Sequence, residues 1–180
     1  MIAIATNLSL IEEILAAWAP QLGADLPAYK NHVYRMAHFC FAQHPCAEPD
    51  REKVVIAACF HDLGIWSDGT LDYLPPSVRL AADYLTHIGK AAWIPEITLM
   101  IDMHHKLRRY DDVRYPLVEA FRKADITDFS MGLLRMGLPR SDIRAVQATF
   151  PNHGFHRRLV GLGTGWFLKH PLNPLPFFRF

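Results

Sequence analysis

Apolar residues recur at helical spacing along most of the chain, and the polar residues between them carry helix start and stop signals. Ser9 followed by Glu12 has the form of a capping box, with Ile11, Ile14, Leu15 and Trp18 repeating behind it until Pro20. Pro27 suits a first helical turn and leads into Tyr29, Val33, Met36 and Cys40, up to the break at His44-Pro45. Asp50 is placed to cap a third helix whose interior, Val54 to Phe60, is apolar on every side, as expected of a helix surrounded by others. That helix ends in His61-Asp62, with Gly64 as its stop.

Further on, Ser77 is placed to cap a helix that carries Val78, Ala81, Ala82 and Leu85 inward and stops near Gly89. Pro95 opens another through Ile97, Met100, Ile101 and His104, and Pro116 opens a long one with Val118, Phe121, Asp125 and Phe129 on one stripe. Ser141 caps a last helix through Ile143, Val146 and Phe150. Behind it, Gly154, Gly161, Gly163 and Gly165 weaken any helix, while Pro171, Pro174 and Pro176 force an extended end expected to wrap the body. No stretch shows period-two alternation between turn signals. The pattern predicts an all-α, single helical-bundle domain over 1–180, with a core at 27–130 and, at 141–180, a helix followed by a less regular Pro/Gly-rich tail.

Composition narrows the function classes. At 180 residues the chain is long enough for one core of its own, and a formal charge of +1 supplies no field to grip a nucleic acid polymer or an anionic membrane. No run reaches the length of a membrane span. The N-terminal stretch holds Glu12 and Glu13 and fails as a secretory signal, and the three cysteines show no tight pairing pattern; both point to the cytoplasm. The ten histidines are the unusual feature.

Several of them fall where periodicity predicts core. His32, the His61-Asp62 pair, His104 and Asp125 occupy apolar faces or buried ends of four helices, and each costs free energy there unless it is paired. Facing helices in a bundle approach closely enough for such groups to converge on one cation. His32, His61, Asp62 and Asp125 form a mixed nitrogen and oxygen set suited to Mn, Fe or Zn. A divalent transition metal so held leaves open positions for a water of lowered pKa, which makes hydrolysis the natural chemistry.

The order His32, His61-Asp62, Asp125 resembles the HD-domain superfamily of metal-dependent phosphohydrolases. The segments Cys59-Phe60-His61-Asp62-Leu63-Gly64 and Phe121-Arg122-Lys123-Ala124-Asp125 are similar to that family's His-Asp and final-Asp helices, and the resemblance covers roughly Pro27 to Ser130. It implies a helical bundle of the HD type and a phosphohydrolase acting on a small phosphate ester or nucleotide, as a monomer or homodimer. Met103-His104-His105 resembles the double-His segment of dinuclear members, but Ser77 stands where those members open the preceding helix with a further His. Ile65 likewise stands where the family commonly has Lys. One ion is therefore expected, with a second near His104 as the alternative.

A phosphate needs cations and a leaving group needs an acid. Arg35, Arg79, Lys106, Arg109, Arg122 and Lys123 are candidates for holding substrate phosphate, together with His104. Asp68 and Asp72, in a loop after the His-Asp pair, are the candidate acids; a solvated turn at Ser67-Asp68-Gly69 competes. Glu119 and Asp128 lie close to Asp125 in sequence without an assigned role. His153 and His156, in a tight turn, either line the substrate pocket or satisfy buried backbone, the latter being the better account. Two rival functions remain. One keeps the metal and acts on a carbon substrate, as a lyase, hydratase or di-iron oxygenase; the other is a metal-stabilised interaction protein using the aromatic tail Pro176-Phe177-Phe178-Arg179-Phe180.

Overall fold

A computed structural model describes residues 2–173 and 176–177. Among them the chain is all-helical, with no β-strand and no helix long and apolar enough to cross a membrane. Helix α1 (Ser9–Ala17) and a short α2 (Ala19–Leu22) lead through a 3₁₀ turn into α3 (Leu26–Gln43), and α4 (Asp50–Phe60) follows. Then come a one-turn α5 (Gly64–Ser67), α6 (Leu74–His87), α7 (Ile94–Met103), α8 (Pro116–Phe129), α9 (Arg140–Thr149) and α10 (Phe155–Lys169).

Helix α4 is the centre. Val54 to Phe60 are all buried, and α4 packs against α1, α3, α6, α7 and α8, which is why its apolar residues show no one-sided stripe. Helix α3 lies between α4 and α8, and α7 between α6 and α8. The C-terminal end of α4 therefore delivers His61 and Asp62 into the space where α3, α7 and α8 meet.

The expected side-chain caps do not form. Leu8 occupies the cap of α1, and Glu12 reaches across to α3, accepting hydrogen bonds from the Tyr34 hydroxyl at 2.7 Å and the Lys30 ammonium at 3.1 Å. Asp50 and Ser141 lie within the first turns of α4 and α9, behind Pro49 and Pro139. Ser77 lies within α6 and its Oγ accepts a hydrogen bond from the Gly64 backbone N–H at 3.0 Å. Gly64 does not stop a helix; it opens α5. A Cβ there would come within 2.4 Å of the Tyr73 carbonyl oxygen, so only glycine lets α5 lie this close to the start of α6.

The glycine-rich tail is also corrected. Residues Phe155–Lys169 form a helix despite Gly161, Gly163 and Gly165, because Phe155, Leu159, Leu162, Gly163 and Trp166 recur at helical spacing on its less exposed side. Tertiary packing of that stripe offsets the low propensity of the glycines. Phe155 anchors it, stacked on the His32 ring at 4.2 Å between centroids. Of the expected extended end, Pro174 and Phe178, Arg179 and Phe180 lie outside the described residues. Phe177 packs against the rings of Tyr73 and His105, at 5.5 and 4.9 Å between centroids.

Candidate metal centre

His32 comes from the second turn of α3, His61 and Asp62 from the end of α4, His104 and His105 from the end of α7, and Asp125 and Asp128 from the last turns of α8. His32, His61, Asp62, His104, Asp125 and Asp128 are all at most 4% exposed, so none is hydrated as an independent polar group.

Three imidazoles are held in the same tautomer. The Nδ1 of His32 faces Asp128 Oδ2 at 2.7 Å, that of His61 faces the Ala58 carbonyl at 2.9 Å, and that of His104 faces the Ile101 carbonyl at 2.6 Å. A carbonyl or an ionised carboxylate can only accept, so each Nδ1 carries a proton and donates it, and the neutral ring, the form that can ligate a metal, is left with its lone pair on Nε2. These lone pairs converge on Asp62. The Nε2 atoms of His32 and His61 are 2.9 Å apart, and Asp62 Oδ2 lies 3.6 and 3.4 Å from them. Asp62 Oδ1 lies 3.5 Å from His104 Nε2 and lacks a hydrogen-bond partner among the described residues.

His32, His61 and Asp62 thus form one group of donor atoms compact enough for an ion, and Asp62, His104 and His105 form a second. Asp62 is the member they share. Buried lone pairs facing each other and an unpaired carboxylate oxygen are costly without positive charge between them, and a cation fits both features. Ligand geometry is supported from behind as metal sites usually require: Arg35 holds Asp128 through Nε to Oδ1 at 2.5 Å and Nη2 to Oδ2 at 2.9 Å, and Asp128 in turn holds His32.

The proton affinities follow from this packing. Burial drives His32 down to about 4 despite Asp128. Burial acts the same way on His61 but is outweighed by Asp62 and Asp125, so its pKa is raised. For Asp62, burial opposes ionisation, yet His61 and His104 outweigh it and hold the carboxyl well below its usual range. Burial lifts Asp125 to about 6.

Of the residues expected to bind metal, His32, His61 and Asp62 come together as one tight group. Asp125, expected as the fourth ligand of that ion, is not part of the tight group; its Oδ2 lies 3.4 Å from His105 Nδ1. His105 belongs to the second group together with His104, and Tyr73 hydrogen-bonds His105 Nε2 at 2.6 Å. Ser77 is not needed for this group, its hydroxyl being committed to Gly64. Asp128 and Tyr73 are the contributors that sequence reasoning left without a role. Asp128 had one readable signal, its position one helical turn after Asp125 on α8.

Five of the expected phosphate-binding cations are engaged elsewhere. Arg35 pairs with Asp128, and Arg122 is buried in a bidentate pair with Glu119 at 2.8 Å for each bond, while also donating to the Lys106 carbonyl. Lys123 lies 4.0 Å from Glu119, Arg79 pairs with Asp68 at 3.1 Å, and Arg109 pairs with Asp111 on an exposed loop. Asp68 and Asp72, the expected acids, are both exposed; Asp68 is held by Ser67 and Arg79. His156 meets both alternatives: its Nε2 faces the Asp128 carbonyl at 3.1 Å, and the residue also lines the cavity described next.

Above the cluster lies a cavity of about 380 Å³ that includes His32, Asp62, His105 and Asp125 in its wall. Its size is within the range of small-molecule sites. Comparisons with protein-family models, curated proteins and solved structures found no match to this chain.

Proposed function

We propose that the chain is a metal-dependent hydrolase of the kind its His, His-Asp, Asp order resembles, with its substrate in the cavity above the cluster. The observation that carries this reading is Asp62, a buried carboxylate that turns one oxygen to the His32–His61 pair and the other, unpaired, to His104. His32, His61 and Asp62 would hold one divalent ion; Asp62, His104 and His105 would hold a second, with Asp125 beside His105. The two-ion reading replaces the single ion expected from Ser77, because His105 supplies the imidazole that Ser77 does not. A divalent metal held there supplies Lewis acidity and a water of lowered pKa.

The protein's own part is to fix the ligands and manage protons. Asp128, the Ala58 carbonyl and the Ile101 carbonyl lock three Nε2 lone pairs inward, so no reorganisation is needed as charge develops. A proton for the leaving group must come from a group in the cavity wall. Tyr73, hydrogen-bonded to His105, and Asp125, with its pKa raised by burial, are the two acids placed to hold one. The exposed Asp68 and Asp72 are not proposed for that role.

A second reading, metal chemistry on a carbon substrate, is favoured by one specific feature: no Lys or Arg among the described residues lines the cavity. A phosphate there would find no fixed side-chain cation beside the metal.

The test is elemental analysis of protein purified without chelator or affinity metal, with hydrolysis assays on phosphate monoesters and on carboxylic esters under Mn²⁺, Co²⁺, Zn²⁺ and Fe²⁺. Bound divalent metal and hydrolysis abolished by Asp62→Ala are expected. Well-folded protein that takes up no metal contradicts the proposal. Iron with oxygen consumption and no hydrolysis selects the second reading.

A further inference from the structure

The wall of the cavity divides into two chemistries. Its polar groups are those of the cluster, with Tyr73 and with His156, whose Nε2 is already committed to the Asp128 carbonyl. Most of the rest is hydrocarbon, including Ile65, Leu71, Phe129, Phe155, Leu159 and Val160. Phe129 and Val160 are 57% and 69% exposed while also lining the cavity, so the apolar surface continues to its mouth. A helical residue on the inward stripe of α10, Gly163, completes the wall, and a Cβ built there meets nothing within 4 Å. Glycine in a helix interior costs about 0.5–1 kcal/mol relative to alanine, and no close approach of backbone demands it here. What its absence of side chain preserves is the volume of the cavity.

We infer that this cavity binds the uncharged hydrocarbon body of the substrate, an alkyl chain or ring whose polar end faces Asp62 and His105, and that Gly163 keeps room for it. The inference rests on the reading of the cluster as a metal centre only for the direction in which the substrate lies. An uncharged body explains the lack of Lys and Arg in the wall, since apolar walls reject a nucleotide's charge and ribose hydroxyls, which would lose water without gaining partners. Each methylene moved from water into such a wall is favourable in its own right.

The experiment is displacement of the neutral fluorophore N-phenyl-1-naphthylamine by 1-alkanols from butanol to decanol and, in parallel, by a nucleoside monophosphate. It is run on metal-loaded and on chelator-treated protein, for the wild type, Gly163→Leu and Val160→Asp. Alkanol affinity is expected to rise about threefold to fourfold per methylene until the cavity is full, equally with and without metal. Gly163→Leu should raise the melting temperature, because leucine favours helix, and weaken decanol at least about tenfold by filling the space. Val160→Asp, at an exposed position, should weaken decanol as well without loss of fold. Failure of the fluorophore to bind, a flat alkanol series, stronger competition by the nucleotide, or unchanged decanol binding in both variants overturns the inference. Protein that takes up no divalent metal, with the alkanol series intact, sinks the hydrolase proposal instead and leaves this one standing.

Discussion

Asp128 accepts the Nδ1–H of His32 at 2.7 Å and is itself clamped by Arg35, so an ion pair that lies behind the cavity wall rather than in it decides how His32 is aimed. Arg35 also donates to the Phe150 carbonyl at 3.0 Å, tying the loop before α10 to the same network.

Removing Asp128 tests this arrangement. In Asp128→Ala the Arg35 guanidinium, 2% exposed, is left without its counter-charge, and loss of a buried partner costs about 3–5 kcal/mol. Metal affinity should fall about 10–100-fold as well, because His32 loses its orienting acceptor. Thermal melting and a metal titration measure the two effects separately; unchanged affinity would mean that Asp128 serves stability alone.

Stoichiometry distinguishes the two groups of donors. Asp62→Ala removes the shared ligand and should empty both sites, whereas His104→Ala should halve the metal content and leave the His32, His61 side loaded. Elemental analysis per chain reads this directly. If His104→Ala retained the full complement, the second ion would have to be abandoned.

Ser77 provides a control at a position where the resembled family would place a ligand. Its Oγ is the acceptor for the buried Gly64 N–H, so Ser77→Ala leaves that donor unsatisfied at a cost of about 1–3 kcal/mol. Metal content should not change. A variant that melted like the wild type but lost metal would reverse this assignment.

Away from the cluster, acidification should act through His38. Its Nδ1 donates to the Tyr34 carbonyl at 2.8 Å and its Nε2 accepts from the Ala5 backbone N–H at 3.0 Å, an arrangement only the neutral ring can make. Burial lowers its pKa in the folded protein, so the unfolded chain takes up the proton first as pH falls below about 6.5. The stability His38 contributes is therefore full above that pH and shrinks progressively below it. Urea midpoints of wild type and His38→Gln should differ most near pH 7.5 and converge towards pH 5.5. Divergence on acidification would show the opposite sign of linkage.

Hydrophobic periodicity was enough to predict helices α1, α3, α4, α6, α7, α8 and α9, because burial of one helical face is a local, repeating demand on side-chain type. It also exposed the anomaly that matters most, imidazoles and carboxylates on faces that ought to be apolar, and so His32, His61 and Asp62 were legible as one group. What it could not supply was pairing between distant positions. Arg35 and Asp128 are separated by 93 positions and Tyr73 and His105 by 32, and the chain can join them only after α3, α6, α7 and α8 have packed. For the same reason Arg35, Arg79, Arg109, Arg122 and Lys123, read as phosphate ligands, turned out to face Asp128, Asp68, Asp111 and Glu119. Local propensity misjudged α10, since the glycines that weaken an isolated helix are outweighed once Phe155 and its stripe dock on His32. The kind of chemistry was thus written in residue types and their spacing; the shape and polarity of the space above it arose only when separate helices closed around a shared interior.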